Sequence, residues 1–176
     1  MSQTSDATST NSNDLEDLVA TSDTGARKPT GMARKLLLSI AALWSVFQLW
    51  IASPLPFMIG MGVFNSTESR SIHLSFAVFL GFMAYPAFKR SPRDHIPIID
   101  WILALVAAFC ASYLFFFYAD LADRPGKPIT QDVVIAIIGI VTLLEATRRA
   151  LGPPLMIVAL IFIVYSVAGP HMPGIL

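Results

Sequence analysis

The sequence predicts an all-α integral membrane protein, a bundle of about five transmembrane helices with its N-terminus in the cytoplasm. Three observations carry that expectation. Of the 176 residues, 55% are hydrophobic and only 14% charged, with a mean hydropathy of +0.63, whereas soluble domains are about a quarter charged. The charges collect in the first 35 positions and in short islands such as 89–94 and 145–149. The stretches between the islands lack the polar stripe that a helix on a soluble core must turn toward water.

The same composition excludes other classes. Twelve Lys and Arg balance twelve Asp and Glu, and no basic stripe interleaved with aromatics runs along the chain, so nucleic acid is not an expected partner. The lipid bilayer is. Cys110 stands alone within an apolar run, which leaves neither a disulfide framework nor a CxxC metal site, and it reads as small apolar packing.

Residues 1–33 read as a disordered cytoplasmic tail. The first thirty are rich in Ser, Thr, Asn and Asp and hold no aromatic residue, so they cannot bury enough apolar surface to offset the entropy of ordering. Asp14–Val19 could form a turn or two of helix and is read with the tail. Arg27, Lys28, Arg34 and Lys35 then precede the first apolar segment, Leu36–Ser53. Trp50 and Ile51 occupy the place where a signal peptide would need small residues for cleavage, so this segment is expected to be retained. Its eighteen residues span about 27 Å as a helix, against a hydrocarbon layer of roughly 30 Å. Trp50 falls at the outer interface, and Pro54 and Pro56 end or kink the helix. The stretch 54–64 is left open between a kinked continuation and an interfacial loop.

The second segment, Ile72–Phe88, follows the polar loop Asn65–Ser71 and closes with Pro86 ahead of Lys89, Arg90 and Arg93, a cluster expected on the cytoplasmic side. The third, Ile98–Tyr118, has Trp101 near one end and Tyr113, Phe115, Phe116, Phe117 and Tyr118 near the other, an aromatic-belt pattern. Ala104, Ala108 and Ser112 recur there every four residues. They form either a helix-packing face that lets another helix approach closely or plain lipid-facing filling.

The fourth segment has an uninterrupted apolar core, Val133–Leu144, of only twelve residues, too short to span. It becomes adequate if Thr130 caps the start, Asp132 meets the positive end of the helix dipole, and the helix continues through Glu145 to Ala150. Glu145 would then pair with Arg148 and Arg149, three and four residues on. This trio is a candidate ion-pair anchor of topology, with an intramembrane functional charge as the other reading. The fifth segment starts at Pro153–Pro154, where proline suits a first helical turn, and runs to Ala168 before Gly169 and Pro170. The basic islands are satisfied together by five spans with the N-terminus inside and Leu176 outside.

No catalytic constellation is present in the sequence, and the expectation is a non-enzyme. His73, His95 and His171 are dispersed, with no HExxH, no paired Cys, no Ser–His–Asp set and no glycine-rich phosphate loop. His73, opening the second segment near Arg70 and Glu68, is with Arg70 the candidate periplasmic contact.

Four strings carry a resemblance: "RSIHLSFAVFLGFMAYP" (Arg70–Pro86), "DWILALVAAFCASYLFFFY" (Asp100–Tyr118), "LLEATRRALG" (Leu143–Gly152) and "FIVYSVAGPHMPGIL" (Phe162–Leu176). Together they resemble the N-terminal region of fused permeases of tripartite ATP-independent periplasmic (TRAP) transporters, of the type that works with a TAXI-class solute receptor. The likeness covers nearly all of the chain after about Arg34. It implies that 34–152 is a four-helix membrane domain like the family's small subunit. Residues 153–176 would be a fifth helix linking to a large permease domain beyond Leu176, making this chain a fragment, a truncated product or part of a split permease. It implies further a sodium-coupled importer of organic anions such as carboxylates in the bacterial inner membrane, served by a periplasmic TAXI-type binding protein. The sodium ion and the substrate would sit in the large domain, and this chain, with no cofactor of its own, would be scaffold. A stand-alone membrane anchor or assembly protein is the alternative reading, and an intramembrane enzyme a distant third.

Overall fold

The computed structural model describes residues 26–27, 29–88 and 95–169. Most of the tail, the cluster Lys89–Asp94, His171 and the last residues lie outside the described set, as does Lys28. Among the described residues the regular structure is entirely helical. The helices are α1 (Gly31–Ala52), α2 (Leu55–Ile59), α3 (Ser66–Ala84), α4 (Ile98–Phe116), α5 (Tyr118–Ala122), α6 (Thr130–Leu151) and α7 (Pro153–Ala168).

Local chemistry sets where each helix stops. Ser53 precedes Pro54 and Tyr85 precedes Pro86. A residue before proline is pushed out of the helical region, and both adopt extended backbone, Ser53 at ψ 161° and Tyr85 at ψ 122°. The second helix therefore ends at Ala84, short of the expected Phe88. It also begins earlier than Ile72, because Asn65 accepts from the Thr67 and Glu68 amides while the Glu68 carboxylate accepts from the Asn65 amide, a reciprocal capping box. The 54–64 stretch is neither a kinked continuation of α1 nor wholly a loop. It holds the single-turn helix α2, closed by Gly60 at φ 71°, and an irregular return on which Trp50 Nε1 donates to the Gly62 carbonyl at 3.3 Å. Phe117, at φ −111° and ψ 24°, separates α4 from α5, so the third helix ends at Phe116 rather than Tyr118.

Thr130 does not cap α6, contrary to expectation. Ile129 holds the cap position, and Asp132 reaches back to accept from the Ile129 amide at 3.0 Å. The helix does run past Glu145, to Leu151.

The core lies where α3, α4 and α6 meet. Phe82 and Met83 of α3 are wholly buried, as is Ala104 of α4, and Val78, Ala107 and Ala146 complete the cluster. Ser71 Oγ, in the second turn of α3, donates to the Ala111 carbonyl near the end of α4 at 2.6 Å, so these two helices run antiparallel. Asp132 at the start of α6 meets Tyr113 near the end of α4, while Arg149 near the end of α6 meets Asp100 at the start of α4. The directions of α3, α4 and α6 thus alternate. α1 packs on α3, and α7 packs mainly on α6; neither buries a single residue.

The outer surface is apolar. Leu43, Val46 and Leu49 on α1, Ile102, Leu105 and Phe109 on α4, Ile137 and Val141 on α6, and Ile161, Phe162 and Val164 on α7 are all exposed. Scattered exposed apolar side chains are ordinary in soluble proteins, but bands of this continuity are not. Among the described residues, α1 and α4 are by length and composition long and apolar enough to cross a membrane, and α7 is equally apolar but has 16 residues.

Candidate functional site

The ion pairs among the described residues gather at the two ends of the bundle. One end carries a chain of five charges. Asp100, two residues into α4, takes Arg27 on Oδ2 and Arg149 Nη1 on Oδ1, the latter at 2.7 Å. Arg149 Nε in turn donates to Glu145 Oε1 at 2.7 Å. Arg148 grips the same carboxylate with Nε at 2.8 Å and Nη2 at 2.7 Å, a bidentate fork of the kind that makes arginine–carboxylate pairs strong and directional. Charges alternate along the sequence Arg27, Asp100, Arg149, Glu145, Arg148, so every carboxylate is shared by two guanidiniums.

Burial differs sharply along this chain. The side chains of Arg27, Asp100 and Arg149 are 1%, 6% and 3% exposed, while Arg148 and Glu145 are 28% and 30% exposed. The inner three are thus desolvated and held by geometry; the outer two face the surroundings. The arginines are also seated on aromatic rings, Arg149 over Phe82 at 4.8 Å and Arg148 over Phe88 at 5.6 Å, which adds cation–π attraction. Backbone completes the closure: the Arg27 amide donates to the Ala84 carbonyl at 2.7 Å and Arg148 Nη2 to the Ala87 carbonyl at 3.1 Å. The arm before α1, the end of α3, the start of α4 and the end of α6 are therefore tied at one point.

The opposite end carries a smaller cluster. Asp132 accepts from the Tyr113 hydroxyl at 2.6 Å, from Arg124 Nη2 at 3.2 Å and from the Ile129 amide. It joins α4, the loop after α5 and the start of α6. Asp132 thus serves its own helix end, where a carboxylate is favoured by the dipole, and the interhelical contact together.

The sequence-derived candidates are placed as follows. Glu145, Arg148 and Arg149 are brought together as a pairing trio, and Arg149 extends to a fourth partner, Asp100. Arg70 and His73 are both exposed but do not share a contact: His73 Nδ1 faces Gln48 and Trp44 of α1, with Trp44 Nε1 at 3.3 Å, and the Trp44 and His73 rings meet edge-on at 5.0 Å. Glu68 is occupied by the Asn65 amide. Of the small-residue stripe, Ala104 is fully buried, whereas Ala108 and Ser112 are half-buried, and the Ser112 hydroxyl bonds within its own helix to the Phe109 carbonyl. The residues beside Ala104 in the core are Ala107, with Ala111 packed against it; the inward face follows the three-and-four spacing of a helix.

Sequence reading passed over Arg27, Asp100, Tyr113 and Arg124 as partners. Asp100 carried a signal, since a buried carboxylate in the first turn of an apolar helix needs a partner. Which cation was not readable, because Arg27 and Arg149 lie 73 and 49 residues away. Among the described residues, no three His, Cys, Asp or Glu side chains converge as metal donors.

No family model matches the chain, and no curated protein or solved structure does.

Proposed function

We propose that this chain is the non-catalytic scaffold portion of a sodium-coupled tripartite (TRAP) importer of organic anions, embedded in the bacterial inner membrane. In this reading α1, α3, α4, α6 and α7 are five spans, the five-charge chain marks the cytoplasmic end, and Asp132 with Arg124 marks the periplasmic end. One observation carries the reading. The segments 36–52, 71–84, 101–116, 133–144 and the whole of α7 contain no Asp, Glu, Lys or Arg, while the ion pairs among the described residues lie at the two ends. A polypeptide built this way meets hydrocarbon along its length and water at its ends.

Among the described residues these spans carry no charged side chain at mid-depth to bind a carboxylate substrate or a sodium ion, and in this reading both belong to a large permease domain acting beside the bundle. The scaffold's task is mechanical: the paired ends hold α3, α4 and α6 rigid while the moving domain works against them. The expected partners are that large domain and a periplasmic TAXI-type solute receptor. Co-expression with a TAXI-type large permease domain, followed by purification in mild detergent, tests this. A stoichiometric complex is expected, and a chain that purifies alone favours the independent anchor. A reporter fused at Lys89 is expected to read cytoplasmic and one at Gly126 periplasmic.

A further inference from the structure

A groove of 720 Å³ opens between α3, α4 and α6, toward the end of the bundle away from the five-charge chain. Its walls are apolar, formed among others by Leu74, Ala107, Ala136 and Gly139. The polar groups along it are almost all engaged. The Ser71 hydroxyl donates to the Ala111 carbonyl, the Thr142 hydroxyl is satisfied by the Ile138 and Gly139 carbonyls, and Asp132 is shared by Tyr113, Arg124 and the Ile129 amide. Of the two charged side chains that line the groove, Asp132 is paired, while Arg70 is exposed and forms no ion pair among the described residues.

The length of the groove fits an alkyl chain. Along α6 the groove runs from Asp132 to Leu143, eleven steps or about 16 Å at 1.5 Å each, which matches one leaflet of a hydrocarbon layer roughly 30 Å thick. The cation at the α3 end of the groove then lies at headgroup depth, where a long basic side chain reaches the interface.

We propose that this groove binds a phospholipid of the outer leaflet with an anionic headgroup, one acyl chain lying between α3, α4 and α6 and the phosphate held by Arg70. The proposal rests on the transmembrane reading given above, and concerns a ligand which that reading does not supply. Arginine suits the task, since its fork matches phosphate geometry.

Native mass spectrometry of the full chain, purified in mild detergent and titrated with phosphatidylglycerol or with phosphatidylcholine of the same acyl chains, tests it. About tenfold tighter binding of the anionic lipid is expected, equivalent to about 1.4 kcal/mol. Arg70→Gln should abolish the preference and Arg70→Lys should keep most of it. Ala136→Trp, a substitution at an exposed position on the groove wall, should remove binding of both lipids while leaving the thermal melt unchanged. Glycerol phosphate should not compete, because the chain as well as the phosphate is recognised. Equal binding of the two lipids, insensitivity to Arg70→Gln or to Ala136→Trp, or displacement by glycerol phosphate would overturn the proposal. Recovery of the untagged chain from the aqueous fraction without detergent would instead sink the transmembrane reading.

Discussion

Arg149 donates to Asp100 at 2.7 Å across 49 residues of chain, and with that bond the end of α6 is closed against the start of α4. Asp100 holds Arg27 on its other oxygen, so one carboxylate bridges two guanidiniums that are almost wholly withdrawn from solvent, with Glu145 as a second partner for Arg149. Its position, rather than the number of ion pairs, makes it the keystone of this end.

Asp100→Asn should therefore be the most damaging substitution in the network. Removing one partner from a buried pair leaves charge without compensation, at a cost of about 3–5 kcal/mol. Glu145→Gln should cost about 1 kcal/mol or less, because that carboxylate is 30% exposed and exposed pairs contribute little. Thermal melts of the two variants in the same detergent check the contrast; equal losses would mean that burial does not rank these carboxylates.

At the other end, Tyr113→Phe removes one hydrogen bond to Asp132 and should cost about 1 kcal/mol. Asp132→Ala removes three partners together, leaves Tyr113 and Arg124 unsatisfied, and should cost roughly twice as much. It should also fray the first turn of α6. A cysteine placed at Gln131 should then label faster with a water-soluble maleimide in Asp132→Ala than in Tyr113→Phe.

Ala104 and Ala108 test which face of α4 points inward. Ala104 is fully buried between helices, so Ala104→Leu should overpack the interface at about 1–3 kcal/mol. Ala108→Leu, at a half-buried site, should fall within about 0.5 kcal/mol of the parent. Matched melts of the two leucine variants decide it, and equal losses would place the packing face on the four-residue stripe.

Gly152 joins α6 to α7 with a single residue at φ 86° and ψ 173°, a region essentially open to glycine alone. Gly152→Ala should strain the joint by about 1–3 kcal/mol, and the strain should appear as a changed angle between α6 and α7. Spin labels at Val141 and Ile161 would report it as a shifted distance, and an unchanged distance would mean the joint tolerates a side chain.

The helical fold was legible because its signals are local. Proline punctuation and uncharged runs each act within a few residues, and Pro153–Ala168 emerged with the bounds expected of it, whereas the Asn65–Glu68 cap, an equally local signal, was read as loop. Where local reading slipped, a local competitor had been overlooked: Tyr85 was excluded from α3 by the proline after it, and the cap of α6 went to Ile129 because Asp132 reaches back three residues.

The candidate site divides along the same line. Glu145, Arg148 and Arg149 could be paired on paper, since three and four residues make one helical face. Asp100 could be recognised as needing a cation, yet its partners come from an arm before α1 and from the end of α6.

Composition and periodicity, then, were enough to say that this chain is helical, apolar along its length and charged at its ends, because those properties depend on each residue's neighbours within a turn or two. Which charges meet, which alanines face inward and where a groove is left between three helices follow from the crossing of distant segments. Contacts of that kind depend on how whole helices pack, and no short stretch of sequence encodes them.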